Sequence, residues 1–549
     1  MMEDVNQPKK SYITWPVLAL MDFVTVIGFD DLIYNFQNQG LSVISSWVIM
    51  LFVYVIPYSL MVGQLGSAFS KEGGGLSSWV RGTSGEFLGY FTAWTYWAAS
   101  IPYVVDTANS VVVGLGWCFN GNDSLENHLS NAKFALLSLL VFVIFIFIQS
   151  RFKNSLEVLS TIGGVAMFGM TVLFVIMTFG ALAEGRHIAT QPFNLHAILP
   201  TFNFKYFATI GMLIYAMNGA ELVAPFVTRM KKPKSDFPKA MIMLAVMTAF
   251  LTIFGSFSLG VFFNAHHLPN DLKMNGSYYA FQALGRQFHV GNFFMYCFAW
   301  TEVFYMCALL AVLLDAMTRI LISDTGSKYM PKFLRKTNAN GLPINGYILT
   351  CVLSAFIIGL GIFLPDMNDI FNWLLNLNGI VSPGVTCWIF YAFIKIRQKE
   401  DQFPSEYVFI KNRKFALAVG WWMLIVTAVA TILGIAPQDV SQFSGTWWYE
   451  LAINIIAIIV LIGLGAIMPY VTRREQRSSI GEAFTKPQWI GMISVLLVAM
   501  IGSFYLGGTH LAMRWWYIGA LTLVGIILII LIGKKEYTAE KEYMKILGY

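Results

Sequence analysis

Charge is what this chain has least of. Only 12% of its 549 residues are Asp, Glu, Lys or Arg, where a soluble globular domain carries roughly a quarter. Apolar residues make up 57%, and the mean hydropathy is +0.63. This excludes a soluble fold and predicts an all-α polytopic membrane protein. The net charge of +6 does not imply nucleic-acid binding, because the basic residues lie between apolar segments and form no patch. The five cysteines, Cys118, Cys297, Cys307, Cys351 and Cys387, contain no CxxC pair and read as small buried hydrophobes. The seven histidines lie in or near connectors. No HExxH, no GxSxG and no metal-spaced His/Cys cluster is present, which argues against an enzyme and predicts neither metal nor cofactor. The glycine-rich "SKEGGGLSSWVRG" lacks the Lys–Ser/Thr ending of a phosphate loop. No connector is long enough for a soluble catalytic domain, no pore ring of a channel is apparent, and the polar residues 1–10 do not read as a cleavable leader.

What is present is a succession of apolar segments. About fourteen of them reach membrane-spanning length, near 12–38, 41–68, 86–116, 133–149, 155–183, 204–228, 238–264, 291–323, 345–364, 369–396, 413–435, 447–470, 487–506 and 513–533. With the N-terminus inside, the inside loops and tails hold 30 of the 36 Lys and Arg residues. A missed or invented span would spoil that split, so the positive-inside rule supports fourteen spans with both termini cytoplasmic. The expected organisation is a tail (1–11), a first five-helix unit (12–183), a second (204–396), helices 11 and 12 (413–470), two further helices (487–533) and a tail (534–549).

Two of these segments are interrupted. The first reads "VTVIGFDDLIYN" over 24–35, and the sixth reads "LIYAMNGAELVAPF" over 213–226. They open the two five-helix units, and by charge counting they run in opposite directions, as in an inverted repeat. Unwinding frees backbone N–H and C=O groups, which lipid forbids but a polar ligand can use. Half-helix N-termini attract a carboxylate, while free carbonyls attract an ammonium. A pair of breaks therefore suits a zwitterion such as an amino acid.

Several stretches carry a family resemblance: "YNFQNQGLSVISSW", "PYSLMVGQLGSAFSKEGGGLSSWVRGTSG", "AELVAPFVTRMKKPKSDFPKAM", "SDTGSKYMPKFLRKTNANGLPINGY" and "FNWLLNLNGIV". Over roughly residues 10–475 the chain resembles bacterial transporters of the amino acid–polyamine–organocation (APC) superfamily, specifically the glutamate:GABA antiporter family. The resemblance implies a LeuT-like 5+5 inverted repeat with discontinuous helices 1 and 6, alternating access, and exchange of an amino acid for an amine in the plasma membrane. Proton-coupled symport and a non-transporting sensor are the alternatives. By position, the substrate would meet Ile27, Gly28, Phe29, Asp30 and Asp31 in the first helix. In the sixth it would meet Tyr215, Asn218, Gly219 and Glu221. The partners expected are the bilayer and a small amino acid or amine. Homo-oligomer formation is left open.

Carboxyls inside spans are costly and mark function. Asp30 and Asp31 read as counter-ions for a cationic group or as proton carriers, or one of them caps the following half-helix. Two carboxylates would repel an acidic side chain, so the pair favours a neutral or basic amino acid or an amine. Glu221 reads as a site residue or a cap, and Asp106 and Glu302 are the candidates for ion coupling. No Lys, Arg or His lies deep in a core span. The place of a coupling lysine in the fifth helix is taken by Gly163 and Gly164.

Overall fold

A computed structural model describes residues 12–71, 75–151, 155–322, 328–336, 344–361, 367–437 and 442–477, with 490, 491 and 494. Among these the chain is helical, with no strand beyond a single Ile13–Met230 bridge. Among the described residues, eight helices are long and apolar enough to cross a membrane. The expected spans at 487–506 and 513–533 lie almost wholly outside the described residues. The chain divides into two compact units, Met1–Pro469 and Tyr470–Tyr549, and the candidate site lies in the first.

In chain order the helices are α1 (Trp15–Val26), α2 (Phe29–Gln39), α3 (Ser42–Met50), α4 (Ile56–Ala68), α5 (Leu76–Ser84) and α6 (Glu86–Asn120). Then come α7 (Leu125–His128), α8 (Asn131–Arg151), α9 (Ser155–Ala183), α10 (Leu195–Ile198), α11 (Phe204–Tyr215), α12 (Pro233–Phe262) and α13 (Leu272–Gln287). The last are α14 (Phe293–Ile322), α15 (Lys332–Arg335), α16 (Ile344–Gly361), α17 (Met367–Gln398), α18 (Arg413–Gly434) and α19 (Gly445–Arg477).

The two interrupted segments are broken where the sequence suggested. Ile27 and Gly28 are extended between α1 and α2. Each 12- or 11-residue half is about 18 Å long at 1.5 Å per residue, too short to cross about 30 Å of hydrocarbon alone. α11 stops at Tyr215, and after the irregular residues 216–223 a 3₁₀ turn follows at Ala224–Arg229. A further irregularity was not anticipated. Between α3 and α4 lies a π-helical turn, Leu51–Val55, closed by the Ile56 N–H bonding to the Leu51 carbonyl. Pro57 follows, and having no N–H it cannot donate to residue 53, so the ladder is already interrupted there.

Long helices pack around the broken ones: α6 and α9 lie against α14, α12 against α1 and α4, and α11 against α17 and α18. Gly164 explains one close approach. A Cβ there would sit 2.8 Å from the Leu20 carbonyl oxygen, so the glycine lets α9 reach the backbone of α1.

Candidate functional site: two helix breaks and two cavities

The breaks meet. Gly219 has φ of +126°, and a Cβ on it would lie 2.8 Å from the Thr25 carbonyl oxygen at the end of α1. Only glycine satisfies both the backbone geometry and the close approach. Beside this contact is a cavity of about 50 Å³, lined by Thr25, Asp31, Tyr96, Tyr215, Asn218 and Glu221 among others. A second, smaller cavity of about 20 Å³ is lined by Gly28, Asp30, Asp31, Tyr34, Asp106 and Tyr305 among others. Asp31, Tyr103 and Tyr215 line both cavities. The two tyrosines meet edge to face at 5.5 Å and form a wall between them.

Tyrosines pin the sixth-helix break. The Tyr58 hydroxyl accepts from the N–H groups of Gly219 at 2.9 Å and Ala220 at 3.0 Å, and donates to Glu221. Tyr96 donates to the other oxygen of Glu221. Tyr54, in the π turn, donates to Asn218 Oδ1 at 2.6 Å, while Asn218 Nδ2 donates to Thr386 at 2.8 Å and Ser382 at 3.1 Å. The N–H groups left by unwinding are thus answered by side chains, as buried backbone requires. Glu221 belongs to this network and lines the first cavity.

The first-helix break is held by its acids. Asp31 Oδ2 accepts from the Gly28 N–H at 2.8 Å, so Asp31 caps α2 at an N-terminus, where an anion is favoured. Asp30 accepts a hydrogen bond from Ser277 of α13 and faces Glu302 of α14. The Tyr305 hydroxyl donates to the Val24 carbonyl at 3.1 Å, occupying one of the acceptors that the break frees. Asp22 receives the Thr25 hydroxyl at 3.4 Å and lies near Glu221.

Among the expected site residues, Asn218, Gly219 and Glu221 line the first cavity, whereas Gly28, Asp30 and Asp106 line the second. Asp31 and Tyr215 line both. Glu302 touches neither cavity but contacts Asp30. Ile27 and Phe29 are buried without lining a cavity, and Phe29 packs on Phe174, Phe281 and Phe298. Sequence reasoning missed Tyr54 and Tyr58. The signal was their i, i+4 spacing around Pro57 in a stretch otherwise apolar.

No Lys, Arg or His among the described residues lines either cavity, and no group of His, Cys, Asp and Glu among them is arranged to hold a metal. Trp47 donates to Ser256 at 2.9 Å, and the Thr25 hydroxyl bonds to the Asp22 carbonyl at 2.8 Å. Both hydroxyls are therefore already hydrogen-bonded.

An all-helical membrane protein with broken segments meeting at a buried polar cavity belongs to the class of membrane transporters rather than enzymes. The comparisons make this specific. Residues 13–461 match the amino acid permease family of the APC superfamily, and the chain belongs to that family. It is 41% identical over 472 residues to the aspartate/glutamate permease AcaP of Lactococcus lactis subsp. cremoris, covering 85% of this chain and 96% of the relative. It is 23% identical over 486 residues to a glutamate/gamma-aminobutyrate antiporter of Lactococcus lactis subsp. lactis, covering 85% and 90%. A probable agmatine/putrescine antiporter, AguD, of the same subspecies is 22% identical over 446 residues, covering 81% and 92%.

Proposed function

We propose that this chain is a secondary active transporter of the bacterial plasma membrane that carries an amino acid through the first cavity by alternating access. The reading includes the LeuT-like 5+5 inverted repeat, about fourteen spans and cytoplasmic termini. The observation that carries it is the contact of the two breaks at Gly219 and Thr25 beside a buried polar cavity. Carbonyls at the end of α1, with Glu221 beside them, offer acceptors for an α-ammonium. Hydroxyl donors on Tyr103, Tyr215 and Ser382 suit carboxylates.

At about 50 Å³ the cavity has room for roughly three to five waters at 10–15 Å³ each. The substrate class we favour is the acidic amino acids. The 41% identical relative is named for aspartate and glutamate. The argument for a cationic substrate also loses ground, because Asp31 is engaged by the α2 N-terminus and Asp30 is turned toward Ser277 and Glu302.

A second reading is exchange of an amino acid for its amine, favoured by the two relatives named as antiporters. Proteoliposomes decide. Labelled aspartate or glutamate taken up into empty vesicles supports the first reading. Uptake that requires internal amine supports the second. Binding without flux in either arrangement would make the protein a sensor and sink both.

A further inference from the structure

One polar side chain of the first cavity is only half answered. Asn378 lies on α17, is 1% exposed and lines that cavity. Its Nδ2 donates to the Tyr215 hydroxyl at 3.5 Å, the outer limit of a hydrogen bond, and its Oδ1 has no donor. Turning the amide over would bring the Tyr215 hydroxyl to Oδ1 and leave Nδ2 without an acceptor instead. In either position one end of the amide is unanswered, which is costly for a buried group. The other amide of the cavity is treated differently. Asn218 uses both ends, with Oδ1 accepting from Tyr54 at 2.6 Å and Nδ2 donating to Thr386 at 2.8 Å and Ser382 at 3.1 Å.

Ser382 follows Asn378 by one turn of α17, so the two side chains lie on one helix face, and both line the first cavity. The Ser382 oxygen accepts from Asn218, which leaves its O–H to donate. Through Tyr215 the amide of Asn378 also joins the Tyr103–Tyr215 wall. Glu221 belongs to a separate group with Tyr58, Tyr96 and the Gly219 N–H. The lining therefore holds two polar groups, one with a carboxyl beside the contact of the breaks and one of amide and hydroxyls against the wall.

An unanswered acceptor with a hydroxyl donor one turn away matches a carboxamide. The N–H2 of a carboxamide can donate to Asn378 Oδ1 while its carbonyl oxygen accepts from the Ser382 hydroxyl. A carboxylate only accepts. It can use the Ser382 hydroxyl and, with the amide turned over, Asn378 Nδ2, but it cannot answer Oδ1. An apolar side chain answers neither end. We propose that the first cavity takes the carboxamide amino acids, asparagine and glutamine, as well as the acidic ones, and that Asn378 reads the end of the substrate side chain. Its amide presents Oδ1 to a carboxamide and Nδ2 to a carboxylate, so one residue serves both classes and rejects apolar analogues of the same length.

This inference rests on the transport reading, and the experiment separates the two. The full-length chain in proteoliposomes is given labelled glutamate and, separately, labelled glutamine. Uptake of both is expected, each inhibited by the other and by asparagine. Asn378→Leu keeps a similar volume without polar atoms. It is expected to raise KM for glutamine and glutamate roughly tenfold or more, with kcat changed less, while methionine, apolar where glutamine carries its carboxamide, becomes a better competitor. Asn378→Gln keeps both ends of the amide one carbon further into the cavity and is expected to favour asparagine over glutamine. Wild-type protein that carries glutamate but neither carries nor is inhibited by glutamine and asparagine overturns the proposal. So does Asn378→Leu with wild-type selectivity among glutamine, glutamate and methionine. Should Asn378→Leu fail to fold, Asn378→Gln decides, since an unchanged ratio of asparagine to glutamine uptake overturns the role of this residue. Glutamine uptake without glutamate uptake keeps Asn378 as the reader and overturns the acidic preference instead. Absence of wild-type uptake and exchange of every compound sinks the transport reading, and this inference with it.

Discussion

Removing the Tyr58 hydroxyl tests whether side chains hold the sixth-helix break open. Tyr58→Phe keeps the ring, its stacking on Tyr54 at 5.5 Å and its edge contact with Phe390. It removes one oxygen that serves three partners: the N–H groups of Gly219 and Ala220, and the carboxyl of Glu221. Leaving a buried polar group without its partner costs about 1–3 kcal/mol. Three such groups sum to roughly 3–9 kcal/mol, but Gly219 and Glu221 line the first cavity, where water can answer part of the loss. The expected destabilisation is therefore near the lower limit, about 3 kcal/mol, or about a hundredfold in the unfolding ratio. Tyr54→Phe is the control. It removes a single bond, to Asn218 Oδ1, and is expected to cost about 1 kcal/mol. Reversible unfolding in mixed micelles measures both variants, and flux in proteoliposomes reads the site. A Tyr58→Phe protein no less stable than Tyr54→Phe, with wild-type flux, would refute the account of how the break is maintained.

Gly219→Ala brings a Cβ within 2.8 Å of the Thr25 carbonyl at a φ of +126°. Strained backbone of this kind costs about 1–3 kcal/mol. We expect the variant to push the two breaks apart and abolish transport, with label exchange as the assay. Asp31→Asn and Asp31→Ala separate capping from charge. Asn keeps an acceptor oxygen for the Gly28 N–H, whereas Ala leaves that buried N–H without its partner, at about 1–3 kcal/mol. If the cap is the main role, thermal unfolding ranks wild type and Asn together above Ala, and transport follows the same order. If Asn transports no better than Ala, the negative charge is required by the ligand.

The breaks were legible because glycine and acids in an apolar run contradict the requirements of a spanning helix. "VIGFDD" and "MNGAE" stand out against flanks that are mostly apolar, and residues 27–28 and 216–223 are where helix is lost. The helices of the central segments were legible for the complementary reason, since hydropathy alone places α8, α9, α12, α14, α17 and α18. Which acid does what was not. Adjacent residues on a helix point about 100° apart, so Asp30 and Asp31 diverge from one helix start. Asp31 turns back onto Gly28 and Asp30 reaches α13 and α14. Deciding between cap and ligand required knowing which helices flank each face, and that is long-range information. Tyr54 and Tyr58 were hidden for the same reason. In the sequence they are two aromatics among many, and their partners are about 160 residues away.

The distribution of acids argues for a division of labour across the first-helix break. Glu221, on the side of α1 and the first cavity, is answered by two tyrosine hydroxyls, while Asp22 of α1 keeps one carboxyl oxygen without a partner. Asp30, Glu302 and Asp106 lie on the side of α2 and the second cavity, where hydroxyl donors are fewer and two carboxyls face each other. Saturating a carboxylate with fixed hydroxyls removes its reason to bind a proton from solution, while leaving one undersatisfied creates that reason. Glu221 is thus a fixed part of the first cavity's lining, whereas Asp106 faces the second cavity with one oxygen unanswered. Asp31 stands at the boundary, fixed by the Gly28 N–H and bordering both cavities. Any movement that reopens the turn at Ile27 and Gly28 must release that cap. The state of the cap therefore reports to both cavities at once.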